Sequence, residues 1–426
     1  MRALMRASAL MAAVLVTTLV GVEIAARGLL HISGGEEEIA QRLVDATLLT
    51  EPGVTPLPNA GRVLEAEEIV HPYVGYVLRP PKSVATRALS LDALGFAGGG
   101  EFVTEPDPRR LVVGVFGGSV AAQFSDARGP QRMLRDFAGD REIVVATVAM
   151  GGYKQPQALL AFDYLLALGM HFDVVLLIDG FNEVVLPVVE NANQGTFPFF
   201  PRLWAWRVAA LDLATDVRSL IGEIAFRRDL RRSIAASIGD SPLRHSAFVR
   251  LLWMTLDRPM SAAIDTRRVQ LQEMRPKSLE YLATGPAWPT NGGKLVRDLA
   301  EVWMRSARQM HALARDQGIV FAHFLQPNQY VTGSKPLSAE ERARFVPDQH
   351  PYRKAVERGY PELRIALEKL RAVGVPSHSL VAVFAETHET VYADDCCHLN
   401  QRGNDIVADA MAAVFSAVPT APPPNQ

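Results

Sequence analysis

Residues 111–125 read LVVGVFGGSVAAQFS. The first six form a Val-rich apolar run of strand length, Gly117-Gly118 break it, and a helical pattern begins at Ser119. A hydroxyl at the carboxyl end of a strand, on the turn into a helix, stands where open α/β sheets do their chemistry. Working outward, the same pattern recurs. Ile143 to Ala149 (IVVATVA) runs into Gly151-Gly152 and the helical QPQALLAFDYLLALG, and Phe172 to Ile178 (FDVVLLI) runs into Asp179-Gly180-Phe181-Asn182-Glu183. A fourth run, IVFAHFLQP from Ile319, follows a helical pattern over Lys294 to Gln317. A fifth strand is expected over Leu380 to Phe384, and a closing helix from Asn400 to about Ala417. Continuous Val/Leu/Ile runs joined by helices predict parallel strands buried on both faces, and so an α/β fold.

With 48% hydrophobic and 21% charged residues, the 426-residue chain is globular and long enough to bury a sizeable core. A net charge of −2, with no zinc-finger spacing and no basic strip interleaved with aromatics, argues against nucleic acid as a partner. The two cysteines are neighbours, Cys396 and Cys397. Adjacent cysteines pair with each other only under severe backbone strain, so no disulfide framework is encoded and the compartment is not revealed. They suit space-filling beside a helix start better than a metal site, which needs further ligands at suitable spacing.

The amino terminus carries Arg2 and Arg6, an uncharged apolar stretch from Ala7 to Val22, then Glu23 and a second apolar piece ending near Leu30. A basic flank followed by an apolar run predicts a single-pass anchor over residues 1–32, with a cleaved signal or a buried helix as alternatives. An anchor puts the rest of the chain outside the cytoplasm. Residues 33–108 form an extension with a short helix at EEEIAQRLVDATLL and a strand or hairpin at ALSLDALGFAGGG. The core is expected at 109–183 and 294–418, with 419–426 a loose tail. Between them, 184–293 is too long for a loop and is expected to be a helical cap over the site. Inside it Arg227, Arg228, Arg231 and Arg232 suggest a solvated helix face, or else contact with lipid phosphates or an anionic polymer.

Four blocks follow strands in this order. Ser119 brings a hydroxyl at a strand-to-helix turn. Gly152, without a side chain, lets its N–H approach a substrate oxygen. Asn182 can donate its amide to a developing oxyanion. Asp395-Cys396-Cys397-His398 brings an imidazole to take the serine proton and a carboxylate to orient it. Alone, each suits a turn, an N-cap or a surface position; together they would line one edge of a parallel sheet.

These blocks, Gly117-Gly118-Ser119, Gly151-Gly152, Gly180-Phe181-Asn182-Glu183 and Asp395-Cys396-Cys397-His398 followed by LNQRGNDIVADAM, resemble those of the SGNH (GDSL-type) hydrolases and esterases. The resemblance covers about 111–183 and 318–415. It implies a three-layer α/β/α fold with a central parallel sheet, SGNH/flavodoxin-like, here with the inserted cap. It implies Ser119 as nucleophile, His398 as base and Asp395 as its partner, with Ser119, Gly152 and Asn182 as the oxyanion hole. Asp394 is a rival for the acid, and the DxxH spacing favours Asp395. No metal or cofactor is implied, and the substrate is an acyl ester of a glycan, lipid or small molecule. Gly118 and Glu183 depart from the family pattern, each standing where Asp is usual. Two other functions fit the same blocks: acyl transfer to a cell-surface polysaccharide, and a non-catalytic envelope scaffold.

Overall fold

The computed structural model describes residues 2–33, 35–47, 68–80, 89–96, 100–209, 215–239, 241–273, 280–288, 292–347 and 350–415. In chain order the principal elements are α1 (Arg2–Ser33), α2 (Gly35–Thr47), β1 (Glu68–His71), β2 (Gly75–Leu78), β3 (Arg110–Gly117), α3 (Ser119–Asp126), β4 (Glu142–Thr147) and α4 (Gln157–Ala167). There follow β5 (Val174–Asp179), α5 (Phe181–Leu186), α6 (Thr215–Gly239), α7 (Ala247–Glu273), α8 (Gly292–Asp316), β6 (Val320–Leu325), α9 (Pro351–Ala372), β7 (Ser377–Ser379) and α10 (Gln401–Phe415).

Strands β3 to β7 form one parallel sheet in the order β4-β3-β5-β6-β7. Counted by chain position within the sheet, this is 2-1-3-4-5, the flavodoxin-like winding, in which the switch point lies between the first and third strands. Every residue of β5, and all of β3 except Arg110, is buried, as strands covered on both faces require. One set of helices, α4, α8 and α9, packs together against β3, β6 and β7, while α3 and α10 pack with residues 129–133 near β3, β4 and β5. The result is the expected three-layer α/β/α architecture.

The expected fifth strand is displaced. The strand is Ser377–Ser379, and the apolar run Leu380 to Phe384 is a series of turns held by Val383 N to Leu380 O and Ala385 N to Ala382 O. Leu380, Val381 and Phe384 are buried without a ladder, so burial alone imitated a strand there. In the extension, the hairpin is β1–β2, upstream of the segment expected to form one. Within that segment, 91–95 is a turn closed by a single antiparallel bridge between Ser90 and Glu101. The tail from 416 onward lies outside the described residues.

The chain divides into two compact units, Met1–Leu64 with Leu213–Arg275, and Glu65–Asp212 with Pro276–Gln426. The segment 184–293 is therefore shared between them. In the first unit α1 and α2 pack with α6 and α7 around Leu30, Ile39, Ala235 and Trp253. Glu23 accepts hydrogen bonds from Ser246 Oγ, Ala247 N and Phe248 N, closing the start of α7 with a carboxylate where the helix dipole favours one. Arg227 pairs with Glu223 and Arg231 with the buried Asp257, while Arg228 and Arg231 are themselves buried, so the four arginines share no common solvated face. Among the described residues no helix is long and apolar enough to cross a membrane.

Candidate active site

The site stands at the carboxyl ends of β3 and β5, beside the switch point. Strand β3 ends at Gly117, Gly118 caps α3, and Ser119 opens it half-buried. Ser119 Oγ lies 2.7 Å from His398 Nε2. The other ring nitrogen, Nδ1, meets Asp394 Oδ2 in a short hydrogen bond. Asp394 Oδ1 accepts three successive amides, Cys396 N at 3.0 Å, Cys397 N at 3.1 Å and His398 N at 3.2 Å, which fix the carboxylate under the imidazole.

The pairing corrects the expectation that Asp395 is the partner of His398. Asp395 is buried and turns the other way, with Oδ2 3.3 Å from His350 Nε2 and its carbonyl accepting Tyr330 Oη at 2.6 Å. His350 Nδ1 accepts Tyr352 N, so its proton is on Nε2 and points at Asp395. The DxxH spacing failed because the loop folds as a compact turn around Asp394. That turn carries the residue four before the histidine, rather than three, beneath the ring.

Burial disfavours the imidazolium of His398, but the Cys397 sulfur and the Asp394 hydrogen bond outweigh it and push His398 up to about 9. Burial also opposes the charge of Asp394; its bond to His398 prevails and holds the carboxyl below the usual carboxylate range.

Asn182, in the first turn of α5, donates Nδ2 to Tyr153 O at 2.7 Å. A side-chain amide carries two N–H groups, so one is left over from this bond. A Cβ on Gly118 would collide with that Nδ2. At position 118, the first departure from the family pattern, a side chain would therefore have to displace the Asn182 amide. Glu183, the second departure, is buried and ties two loops together, its Oε2 accepting Gly180 N at 2.7 Å and its Oε1 accepting Gln155 N at 3.0 Å. Burial, with the charge of Asp179 beside it, pushes Glu183 up to about 8.

Gly152 has φ +80°, a conformation that favours glycine, and a Cβ there would collide with the Arg202 side chain. It joins the group through its neighbour Tyr153, whose carbonyl holds Asn182. The extension braces this loop: Tyr76 Oη donates to Gly151 O at 2.7 Å, and Tyr153 Oη donates to Tyr76 O at 2.5 Å. Arg207 stacks 3.5 Å over the Tyr76 ring and pairs with Glu68 at 2.6 Å. Arg202 is held by a buried ion pair with Glu190. Tyr76, Arg202, Gln155 and His350 were missed by sequence reasoning, since none sits in a recognisable block; only the adjacency of Asp394 to the DxxH block offered a signal.

Ser119 and His398 thus meet, Asn182 lies against Gly118, Asp394 rather than Asp395 pairs with His398, and Gly152 lies in the adjoining loop. The arrangement can deprotonate a serine hydroxyl and offer an amide N–H to a nearby oxyanion. Cys396, Cys397 and His398 bring three donor atoms within 4.8 Å of one another and could hold a metal. Both nitrogens of His398 are already engaged, so an ion there would displace Ser119 or Asp394.

No protein-family model matches the chain, and no curated protein matches it. Among solved structures, a GDSL-like lipase from Bacteroides thetaiotaomicron is similar at 11% identity and a TM-score of 0.33, over 74% of this chain and 93% of that one, a likeness too slight to carry an argument.

Proposed function

We propose that the protein is a serine-dependent ester hydrolase acting on an acyl ester, with Ser119 as nucleophile, His398 as general base and Asp394 orienting the imidazole. The observation that carries this reading is the continuous path from Ser119 Oγ through His398 to Asp394 at the carboxyl ends of parallel strands. As Ser119 attacks the ester carbonyl, its proton passes to His398 Nε2, and the imidazolium gains the Asp394 carboxylate as counter-charge. Negative charge growing on the carbonyl oxygen meets the free N–H of Asn182 and backbone amides at Ser119 and Gly152. His398 then protonates the leaving alcohol, and water, activated by the same base, releases the acyl group from Ser119.

The reading also takes residues 1–32 as a membrane anchor with the sheet unit outside the cytoplasm, supported by Arg2 and Arg6 ahead of the apolar run. Recovery of the full chain in the soluble fraction after lysis would contradict that anchor.

The catalytic claim is tested with a fluorophosphonate probe and with p-nitrophenyl acetate, with and without a glycan acceptor. Labelling should map to Ser119 and vanish in Ser119→Ala. Absence of labelling in folded wild-type protein would support a binding role instead, and product formed only with acceptor would support acyl transfer.

A further inference from the structure

The acid and the base of the site are separated by Asp395, Cys396 and Cys397, and the amides of Cys396, Cys397 and His398 aim the Asp394 carboxylate. The two cysteines are free, with Sγ atoms 2.8 Å apart; Cys396 is half-buried and Cys397 buried. They are the whole cysteine content of the chain. The same short stretch of backbone therefore carries a close dithiol and holds the orienting carboxylate.

We propose that Cys396 and Cys397 are a modification site, a dithiol that a small disulfide oxidises to a vicinal disulfide, and that closing this bond withdraws Asp394 from His398. The effect on turnover rests on the hydrolase reading; the modification and its effect on the loop do not. Cys396, the more accessible sulfur, gives up its proton and attacks one sulfur of the oxidant RSSR, forming a mixed disulfide and expelling RS−, which is protonated to RSH. Cys397 then gives up its proton and attacks the Cys396 sulfur, expelling the second RS−, likewise protonated. Two S–H bonds and the oxidant's S–S bond become one internal S–S bond and two RSH, the protein losing two electrons and two protons.

Geometry links this bond to the site. Across the trans peptide between them the two Cα atoms are held about 3.8 Å apart, short of the about 4.4–6.8 Å that a disulfide usually spans, so closure forces that peptide out of its relaxed planar geometry. The N–H of that peptide is the one Cys397 donates to Asp394, with the Cys396 and His398 donors on either side. Distorting that peptide draws its N–H off the carboxylate and loosens the orientation that serves His398. Burial pushes the Cys396 thiol up, so its attack on the oxidant quickens as pH rises.

The full chain, freshly reduced, is treated with one equivalent of 4,4′-dithiodipyridine. The expected result is release of both thiopyridones and a mass loss of about 2 Da with no pyridylthio adduct. In the oxidised protein the amides of 396–398 should exchange with deuterium faster, and fluorophosphonate labelling of Ser119 should slow by at least about tenfold and recover with dithiothreitol. In Cys396→Ser/Cys397→Ser, labelling should not change on treatment. No thiopyridone release, a persistent adduct, or a closed disulfide with unaltered amide exchange and labelling would overturn the proposal. If reduced wild-type protein never labels, the hydrolase reading fails, and the mass and amide exchange still decide the dithiol.

Discussion

Asp394 and Asp395 are neighbours in the chain, and each meets a histidine, in two different settings. Asp394 and His398 are half-buried and end on a hydroxyl, Ser119 Oγ, that is itself partly exposed. Asp395 and His350 are buried, the imidazole stacked on Tyr330 at 5.4 Å and bonded to the Tyr352 amide. The interior holds a closer imitation: Asp179, His323 and Ser377 form a carboxylate–imidazole–hydroxyl series at 2.9 and 3.2 Å, every member buried. Hydrogen-bond order alone thus does not distinguish the proposed catalytic groups from structural ones. The half-buried setting of Ser119 at the strand ends is what the proposal relies on.

The comparison is broken most forcefully by exchanging each aspartate in turn. Asp394→Asn keeps the shape but no longer holds the required tautomer or balances the imidazolium, and kcat for p-nitrophenyl acetate should fall about ten-thousandfold. Asp395→Asn should leave kcat within a few-fold and instead lower stability by about 1–3 kcal/mol in denaturant unfolding, through the buried His350 N–H whose carboxylate acceptor it removes. Asn182→Ala removes a donor to the oxyanion and should cost about a hundredfold to a thousandfold in kcat, with KM little changed. The smallest effect sharpens the role of the accessible pair. With His398 pushed up to about 9, its base form is scarce at neutral pH, so kcat/KM should climb with pH and level off near 9. The same raised value makes protonated His398 stabilising below its unfolded value of about 6.5, an advantage lost as pH rises through about 9. Activity and this part of stability therefore move in opposite directions.

Much of this was legible from residues. Four of the five parallel strands fall within two residues of the runs read from the sequence, because strands buried on both faces are continuous in Val, Leu and Ile. Ser119 and Asn182 were legible because they follow such strands, and His398 because it closes the DxxH block. The fifth strand was not: Ser377–Ser379 is short and polar, and its apolar neighbour is buried by turns. The acid was misread since sequence spacing does not report which side chain a compact loop turns inward. Nothing in the sequence shows that the Asn182 amide lies against Gly118. The brace from Tyr76 to Gly151 was invisible because the two residues lie far apart in the chain and neither belongs to a motif.

The most direct test of the central claim is the rate at which a fluorophosphonate labels Ser119 in wild-type protein, Asp394→Asn and Asp395→Asn, measured side by side at one pH. Wild type and Asp395→Asn should label at comparable rates, with Asp394→Asn slower by orders of magnitude. Loss of labelling in Asp395→Asn, with Asp394→Asn reacting like wild type, would contradict the account.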